Sequence, residues 1–216
     1  MIYDQTGNRK YLTTEERKNF IRAAERAPIP ISTFCLTLAF TGARISEVLA
    51  LFPRRIDFAV RGITFETMKR RRPGIYRTVP VPDDLLTRLE ETHSILSKQS
   101  DPRRRDELIW PWCRTTAWKR VKEVMKVAGV QHSCDVPKSL RHGFGIAGTI
   151  EAGIPLNIIQ KWMGHARIET TAIYANAVGP EERRLAGRMW PSANQKRQSG
   201  REQSLRIFSA VRSARE

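Results

Sequence analysis

Three kinds of chemically active side chain occur together between residues 137 and 176: cations, imidazoles and a phenol. Lys138, Arg141 and His142 stand in the run Lys-Ser-Leu-Arg-His, His165 follows Met-Gly, and Tyr174 comes after it. An arginine carries a permanent positive charge and a planar fork that can hold two oxygens of one phosphate. A tyrosine oxygen can act as a covalent nucleophile when the electrophile beside it is polarised. The combination predicts attack by Tyr174 on a phosphodiester.

Taken alone, each of these residues has an ordinary structural explanation. An Arg-His pair at a helix start is commonly solvent-exposed, and a glycine before a histidine commonly ends a helix. A tyrosine in an apolar segment is commonly half-buried, with its hydroxyl group paired. The order and spacing of the whole segment favour the chemical interpretation over these separate explanations.

Arg44 and Glu47 form a second group, in the run Thr-Gly-Ala-Arg-Ile-Ser-Glu. They stand one helical turn apart at the start of a short predicted helix, 43–51, where unpaired backbone N–H groups favour an anion. An ordinary surface ion pair is the simpler explanation of these two residues.

A strongly basic segment, Lys69 followed by Arg70, Arg71 and Arg72, separates two predicted strands. We expect it to form a hairpin tip, which is either a solvated run of charge or a finger that binds phosphate. The three arginines are candidate DNA-binding residues. Lys69 is the better proton donor, because a guanidinium group effectively never gives up its proton.

The composition of the chain favours a polyanionic partner. The chain has 216 residues and a formal net charge of +16, which favours association with nucleic acid through counterion release. No segment is apolar over the length of a membrane span, and the N-terminus lacks the apolar region of a signal peptide. Scattered cysteines at 35, 113 and 134 indicate reduced thiols in a cytoplasmic protein. His132 and Cys134 have no second ligand pair at zinc spacing, so no metal site is predicted.

The pattern of apolar residues predicts a mainly helical α+β domain with a small three-stranded antiparallel sheet. A capping box, Thr-Thr-Glu-Glu from Thr13, begins the first helix. In the helix at 115–128, Trp118, Val121, Val124 and Met125 are predicted to face the core. Helices are predicted at 13–26, 31–41, 43–51, 82–98, 115–128, 139–152, 156–163, around Tyr174, at 181–190 and at 205–211; strands are predicted at 56–58, 63–68 and 75–81.

The two motifs together resemble those of the tyrosine recombinase, or phage integrase, family. That family has Thr-Gly-x-Arg-x-Ser-Glu, followed later by His-x-Leu-Arg-His, Leu-Gly-His and Thr-x-x-x-Tyr. Lys138 departs from the pattern, because the family most often has histidine at that position. The resemblance covers residues 11–190 and implies the fold of a tyrosine recombinase catalytic domain. Residues 191–216 are predicted to form a basic, mobile tail.

The resemblance implies that the protein exchanges DNA strands without a metal or nucleotide cofactor. Tyr174 would attack a backbone phosphate and form a 3′-phosphotyrosyl link. Arg44 and Arg141 would stabilise the charge that develops on the non-bridging oxygens. Lys69 would protonate the departing 5′ oxygen.

The resemblance also implies the remaining roles and the partners. Lys138 and His165 would donate hydrogen bonds to the phosphate, with Glu47 and His142 in support. The partner would be double-stranded DNA, bound by a homo-oligomer that forms a tetramer on paired sites, and the need for an accessory DNA-binding protein stays open. Full-length members carry a helical DNA-binding domain ahead of the catalytic one. Few residues precede the first helix here, so the chain resembles the short fimbrial-switch members or a truncated gene on a mobile element.

Two other functions stay open from the sequence. Residues 152–163 have the helix, glycine turn and second helix of a helix-turn-helix, which would suit a DNA-binding regulator without catalysis. A type IB topoisomerase shares the tyrosine chemistry but relaxes DNA without a specific site. A regulator would not need Tyr174, Lys69 or two arginine motifs, so the sequence favours catalysis.

Overall fold

The structure is a computed structural model that describes residues 5–67, 74–130 and 134–175, together with residues 183, 186, 187 and 189. The chain divides into two compact units, Met1–Ala177 and Val178–Glu216. The basic segment 69–72, the helices predicted at 181–190 and 205–211 and the tail 191–216 lie outside the residues described, apart from the four isolated positions. The described parts of the first unit contain the elements set out below.

Short helices make up most of the first unit. The side-chain oxygen of Thr13 accepts from the backbone N–H of Glu16, and the Glu16 carboxylate accepts from the backbone N–H of Thr13, so the predicted capping box is confirmed. The helices are α1 (Thr14–Glu25), α2 (Ile29–Thr41), α3 (Ile45–Leu49), α4 (Asp83–His93), α5 (Ile95–Ser100), α6 (Arg114–Val127), α7 (Pro137–Ile146), α8 (Leu156–Met163) and α9 (Glu169–Ala172).

The chain between α3 and α4 forms one small antiparallel sheet. Its strands are β1 (Ile56–Asp57), β2 (Gly62–Glu66) and β3 (Tyr76–Pro80), in the order β1-β2-β3, and Phe65 pairs with Arg77. The predicted α+β class, mainly helical with a three-stranded antiparallel sheet, is confirmed. Along β3, buried and exposed residues alternate, and Arg77 occupies a buried position.

Two apolar clusters hold the helices together. The larger one joins α1, α2, the sheet, α4 and α6, and includes Phe34 and Trp110, whose rings meet edge to face at 5.3 Å. The smaller one lies where α7, α8 and the segment after α9 meet, and consists of Tyr11, Ile146, Ile150, Ile159, Met163 and Tyr174. The candidate nucleophile is therefore a core residue of the smaller cluster.

Some predicted elements were wrong in extent. The helix predicted at 82–98 is divided by Ser94, which adopts a left-handed conformation between α4 and α5 while the Glu90 carboxylate accepts from the backbone N–H of Leu96. The helix predicted at 139–152 is α-helical only to Ile146 and continues as a π-helical turn, Ala147–Glu151.

Two further predictions concerned single aromatic residues. Trp118 was predicted to face the core but is 40% exposed, because its neighbour Ala117 takes the buried position one residue earlier on α6. Tyr174 was predicted to lie within a helix, but α9 ends at Ala172 and Tyr174 lies in the turn that follows. Among the described residues, no helix is both long and apolar enough to span a membrane.

Candidate active site

Arg44 stands at the N-cap of α3 and is held there by Glu47. Its backbone N–H donates to Glu47 Oε2 at 2.8 Å, and its Nη1 donates to Oε1 at 2.7 Å. The Arg44 side chain is 23% exposed. Among the residues that the structure describes, no acceptor contacts its other guanidinium N–H groups, so an anion can bind them.

Arg77 is a second partner of Glu47, and no sequence motif indicated it. Its Nη2 donates to Glu47 Oε2 at 2.6 Å, and its Nη1 approaches Oε1 at 3.4 Å. The same side chain donates from Nη1 to Thr67 Oγ1 at 3.1 Å and from Nε to the carbonyl oxygen of Trp162 at 2.7 Å. One signal was present in the sequence: Arg77 stands between Ile75 and Val79 in a strand of alternating burial, where a cation needs a buried acid.

Glu47 stays ionised although it is buried. Burial alone would raise the pKa of its carboxyl group, but the charge and hydrogen bonds of Arg77, together with the backbone N–H and charge of Arg44, lower the pKa below its ordinary value. The carboxylate therefore holds two arginines at neutral pH.

Arg141 projects from α7 and is fixed by two backbone carbonyl groups. Its Nη1 donates to the carbonyl oxygen of Gly42 at 2.7 Å, and its Nη2 donates to that of Met163 at 2.6 Å. Burial, and then the nearby charge of Arg44, lower the pKa of Arg141 to about 10, so the group is still a cation at neutral pH. The bond to Gly42 places Arg141 against the end of α2, two residues before Arg44 in the chain.

His165 follows the glycine that ends α8. Gly164 has φ +66°, a left-handed conformation that favours glycine, and places His165 so that its Nδ1 lies 2.9 Å from Thr171 Oγ1. Burial, and then the charge of Arg141, lower the pKa of His165 to about 3. The imidazole is therefore neutral at pH 7, so any contact that it makes with an anion would be a hydrogen bond and not an ion pair.

Tyr174 lies close to these groups but is withdrawn from solvent, with 1% of its surface exposed. Its ring packs on Gly145, where an added Cβ would come within 2.5 Å of the ring, and it stacks against His165 at 6.2 Å. Its hydroxyl oxygen lies 3.1 Å from His142 Nδ1. Burial raises the pKa of Tyr174 to about 12 even though Arg141 and Arg44 act in the opposite direction. The hydroxyl group is thus protonated at neutral pH.

His142 and Lys138 are both on α7 but in different surroundings. His142 is buried, and its Nε2 has no hydrogen-bond partner among the described residues. Burial, and then the charge of Lys138, lower the pKa of His142 to about 4. Lys138 itself is exposed in the first turn of the helix, one turn before Arg141. The structure therefore places His142 against Tyr174 and Lys138 on the surface beside the site.

A cleft of about 250 Å³ opens beside His165, between the ends of β2 and β3 and the helix α8. Lys69, Arg70, Arg71 and Arg72 lie outside the described residues, so the structure does not place them; Thr67, which lines the cleft, is the last described residue before that segment. In the described ranges, no group of three or more His, Cys, Asp or Glu side chains could hold a metal ion. The cleft residues are Thr67, Ile75, Tyr76, Arg77, Asn157, Gln160, Lys161, Gly164 and His165.

Comparison with known sequences identifies one family. The model of the phage integrase family matches residues 10–179. The tyrosine recombinase XerA of Pyrococcus furiosus is 34% identical over 174 residues, which cover 76% of this chain and 56% of that protein. The tyrosine recombinase XerD of Shewanella oneidensis is 29% identical over 153 residues, which cover 63% of this chain and 45% of that protein. The chain spans about half the length of these relatives.

Solved structures share the fold. The crystal structure of XerA recombinase superposes with a TM-score of 0.66 at 23% identity, over 84% of this chain and 64% of that one. The site-specific recombinase XerH, bound to its difH substrate in a pre-cleavage complex, superposes with a TM-score of 0.65 at 17% identity, over 88% of this chain and 60% of that one. At these identities the likeness establishes the fold, and it agrees with the fold that the sequence motifs implied.

Proposed function

This chain belongs to the phage integrase family, and from that premise we propose that it is a site-specific DNA recombinase that works through a 3′-phosphotyrosyl intermediate. The observation that carries the proposal is the convergence of Arg44, Arg141, His165 and Tyr174. These residues come from separate parts of the chain, yet Arg141 and Arg44 act on the pKa of both His165 and Tyr174.

The two arginines supply the electrostatic part of the reaction. When Tyr174 attacks, a P–O bond forms to the tyrosine oxygen and the bond to the 5′ oxygen breaks, while negative charge grows on the non-bridging oxygens. Arg44 and Arg141 are fixed before the reaction by Glu47 and by backbone carbonyls, and each retains N–H groups for those oxygens. Donors that are aimed in advance at the developing charge usually make the largest contribution to catalysis.

The protons need separate groups. The Tyr174 proton leaves to water as the new bond forms, and the departing 5′ oxygen needs a proton as its bond breaks. We assign that donation to Lys69, on the family resemblance of its position between the two strands. Lys138 and His165 are assigned as hydrogen-bond donors to the phosphate. Because the phosphotyrosyl link keeps the energy of the broken bond, a new 5′-hydroxyl group can reverse the step and join a different strand.

The nucleophile has to move before it can react. Its hydroxyl group is bonded to His142 and its ring is enclosed by the smaller apolar cluster. Release requires the segment after α9 to shift and the ring to leave Gly145. We therefore propose that DNA binding and exposure of Tyr174 are linked steps.

The proposal includes the partners. Double-stranded DNA is the substrate, and residues 11–190 form the catalytic domain, with the basic segment 191–216 adding charge. XerH is bound to a DNA substrate, and a lambda integrase dimer is bound to a core site. On this analogy we propose a homo-oligomer on DNA, with a tetramer on paired sites. A cytoplasmic location completes the proposal, and the need for an accessory DNA-binding protein stays open.

Covalent capture tests the function. The wild-type protein is incubated with nicked duplexes whose central segment is randomised, and protein–DNA adducts are separated on a denaturing gel and sequenced. We expect adducts with the wild type, with and without EDTA, and none with Tyr174→Phe, which removes one oxygen and keeps the ring. Specific binding without any adduct would overturn the proposal in favour of a regulator.

The captured sequence then separates recombination from relaxation. A plasmid with two copies of the selected site should yield recombinant products, while a plasmid without the site should keep its supercoils. Relaxation of both plasmids without recombinants would indicate topoisomerase activity instead.

A further inference from the structure

Arg77 is a buried cation that the proposed chemistry does not use. We infer that Arg77 is a positioning residue that fixes the guanidinium group of Arg44 relative to the peptide that carries His165. The inference rests on the proposed function, because it concerns the rate of the same cleavage step. It assigns no contact between Arg77 and DNA.

The contacts of Arg77 leave it no room for a phosphate. Its side chain is 4% exposed, and among the residues that the structure describes it donates to Glu47, Thr67 and the carbonyl oxygen of Trp162. Four of these hydrogen bonds use a guanidinium group that has five N–H donors. Four of the five N–H donors of this cation are therefore used inside the protein.

Glu47 links Arg77 to Arg44 through its two carboxylate oxygens. Each carboxylate oxygen accepts from both arginines: Oε1 from the two Nη1 atoms, and Oε2 from Arg77 Nη2 and the Arg44 backbone N–H. The carboxylate plane is therefore fixed from both sides. Without Arg77, Glu47 could rotate and would take the Arg44 guanidinium with it, because Arg44 has no other side-chain partner among the described residues.

The other end of Arg77 is tied to the segment that bears His165. The Trp162 carbonyl bonds to Arg77 and the next carbonyl, that of Met163, bonds to Arg141. These carbonyl groups lie at the carboxyl end of α8, where the helix dipole favours positive charge. A Cβ at Gly164 would lie 3.0 Å from Arg77 Nη1. The Arg77 side chain thus connects the Arg44–Glu47 pair to the turn that precedes His165.

Lysine cannot replace this arginine. It would keep a positive charge beside Glu47, but its single ammonium group cannot serve the carboxylate, the Thr67 hydroxyl and the Trp162 carbonyl together. Arg77→Lys therefore removes the geometric function and keeps the charge. Arg77→Met removes both and leaves a buried acid with only one cation, so it also tests folding.

The test is single-turnover cleavage of a nicked duplex that the wild-type protein captures. A small misplacement of a catalytic group can slow chemistry by about 10²-fold, and we expect a loss of that order for Arg77→Lys with saturating DNA. DNA affinity should stay near the wild-type value, and the variant should stay folded at the assay temperature although the lost hydrogen bonds lower its thermal unfolding midpoint. The matched control is Arg17→Lys, a half-buried arginine on α1 that donates to the Ala39 carbonyl and lies outside the site; it should cleave like the wild type.

A double-mutant cycle distinguishes positioning from a general loss of stability. If Arg77 acts through Arg44, adding Arg77→Lys to Arg44→Ala should change the residual rate by no more than about twofold, because the effects of coupled residues are not additive. An equal loss in both backgrounds, or wild-type cleavage by Arg77→Lys, would overturn the inference. If Arg77→Met does not fold, the lysine variant and its cycle still decide. A wild-type protein that forms no adduct would instead refute the proposed function.

Discussion

The two arginines of the candidate site and Tyr174 are held by different forces. Arg44 and Arg141 reach their positions through a carboxylate and backbone carbonyls, in bonds where at least one partner carries a full charge. Tyr174 is held by apolar packing and by one bond between neutral groups, to His142. Hydrogen bonds to charged groups are roughly twice as strong as neutral ones.

This difference indicates which part can move. Under the proposed function, the arginine side of the site is built before DNA binds, so little reorganisation would be needed there during the reaction. The tyrosine side contains α9, a helix of four residues, and a turn that ends in Tyr174. A neutral hydrogen bond contributes about 1 kcal/mol to stability, so the hydroxyl bond alone would not prevent release. The four predictions that follow test this division.

The largest effect should come from a group that belongs to neither side. Lys69→Ala should slow cleavage by about 10²–10⁴-fold, the usual contribution of a positioned general acid. A substrate with sulfur in place of the bridging 5′ oxygen should restore the rate, because a thiolate leaves without a proton. The measurement is single-turnover cleavage of both substrates.

Arg70→Ala, Arg71→Ala and Arg72→Ala are the controls for that experiment. They should weaken binding more than cleavage, and sulfur should not help them. A Lys69→Ala protein that stays slow on the sulfur substrate would make the lysine a phosphate ligand and leave Lys138 as the candidate acid.

The second prediction concerns acid stability, which should separate the two sides. Burial lowers the pKa of His142 to about 4 and that of His165 to about 3, and both touch Tyr174. Below pH about 6.5 the unfolded chain binds protons that the folded one excludes, so stability is lost as the pH falls from there towards 4. For each of these two histidines, the free energy of unfolding should fall by about 1 kcal/mol per pH unit in this range.

Urea unfolding at several pH values measures this slope. His93, which is half-buried at the end of α4 and whose pKa is lowered to about 4 by burial, adds to it. His142→Gln should reduce the slope by about one proton's contribution. Glu47, whose pKa is lowered, should matter only below its ordinary range, at lower pH. A flat profile between pH 6.5 and 4.5 would contradict the burial of the histidines.

Lys138 should have a smaller effect, because it is exposed beside the site. Lys138→Ala should slow cleavage by about tenfold, the value of one hydrogen bond of about 1.4 kcal/mol. Lys138→His should keep more activity at pH 6 than at pH 8. The reference pKa of histidine is about 6.5, so the introduced imidazole is largely charged at pH 6 and neutral at pH 8. Rates for Lys138→Ala equal to the wild type would make this lysine an ordinary surface residue.

The smallest effect should come from the hydrogen bond between His142 and the Tyr174 hydroxyl group. His142→Phe keeps a ring but loses the contact with the Tyr174 hydroxyl group. Loss of a bond that contributes about 1 kcal/mol should accelerate cleavage about fivefold at saturating DNA, if release of Tyr174 precedes attack. A slower variant with wild-type stability would mean that His142 takes part in the reaction.

The sequence predicted the parts of the molecule that depend on local patterns. The capping box at Thr13, the strands and the approach of Arg44 to Glu47 are set by neighbouring residues and were predictable. The division at Ser94 depends on Glu90 reaching across to the next helix, which periodicity does not reveal. The turn at Tyr174 ends a helix too short to show a period.

Long-range contacts account for most of what was missed in the site. Arg77 joins residues from three segments, and its partners Glu47 and Trp162 are far from it in the chain. The burial of Tyr174 depends on Gly145, a small residue whose importance appears only when the ring packs on it. Motifs therefore identified candidate chemical groups, while the structure showed which contacts hold those that it describes.

The most direct test of the account is to locate the covalent bond to DNA. Wild-type protein is captured on the selected nicked duplex, digested with nuclease and protease, and analysed by mass spectrometry. The chain contains four tyrosines, of which Tyr11 and Tyr76 are the other described ones. We predict that the nucleotide remnant is on the peptide that contains Tyr174. A remnant on any other residue, in a protein that cleaves normally, would contradict the account.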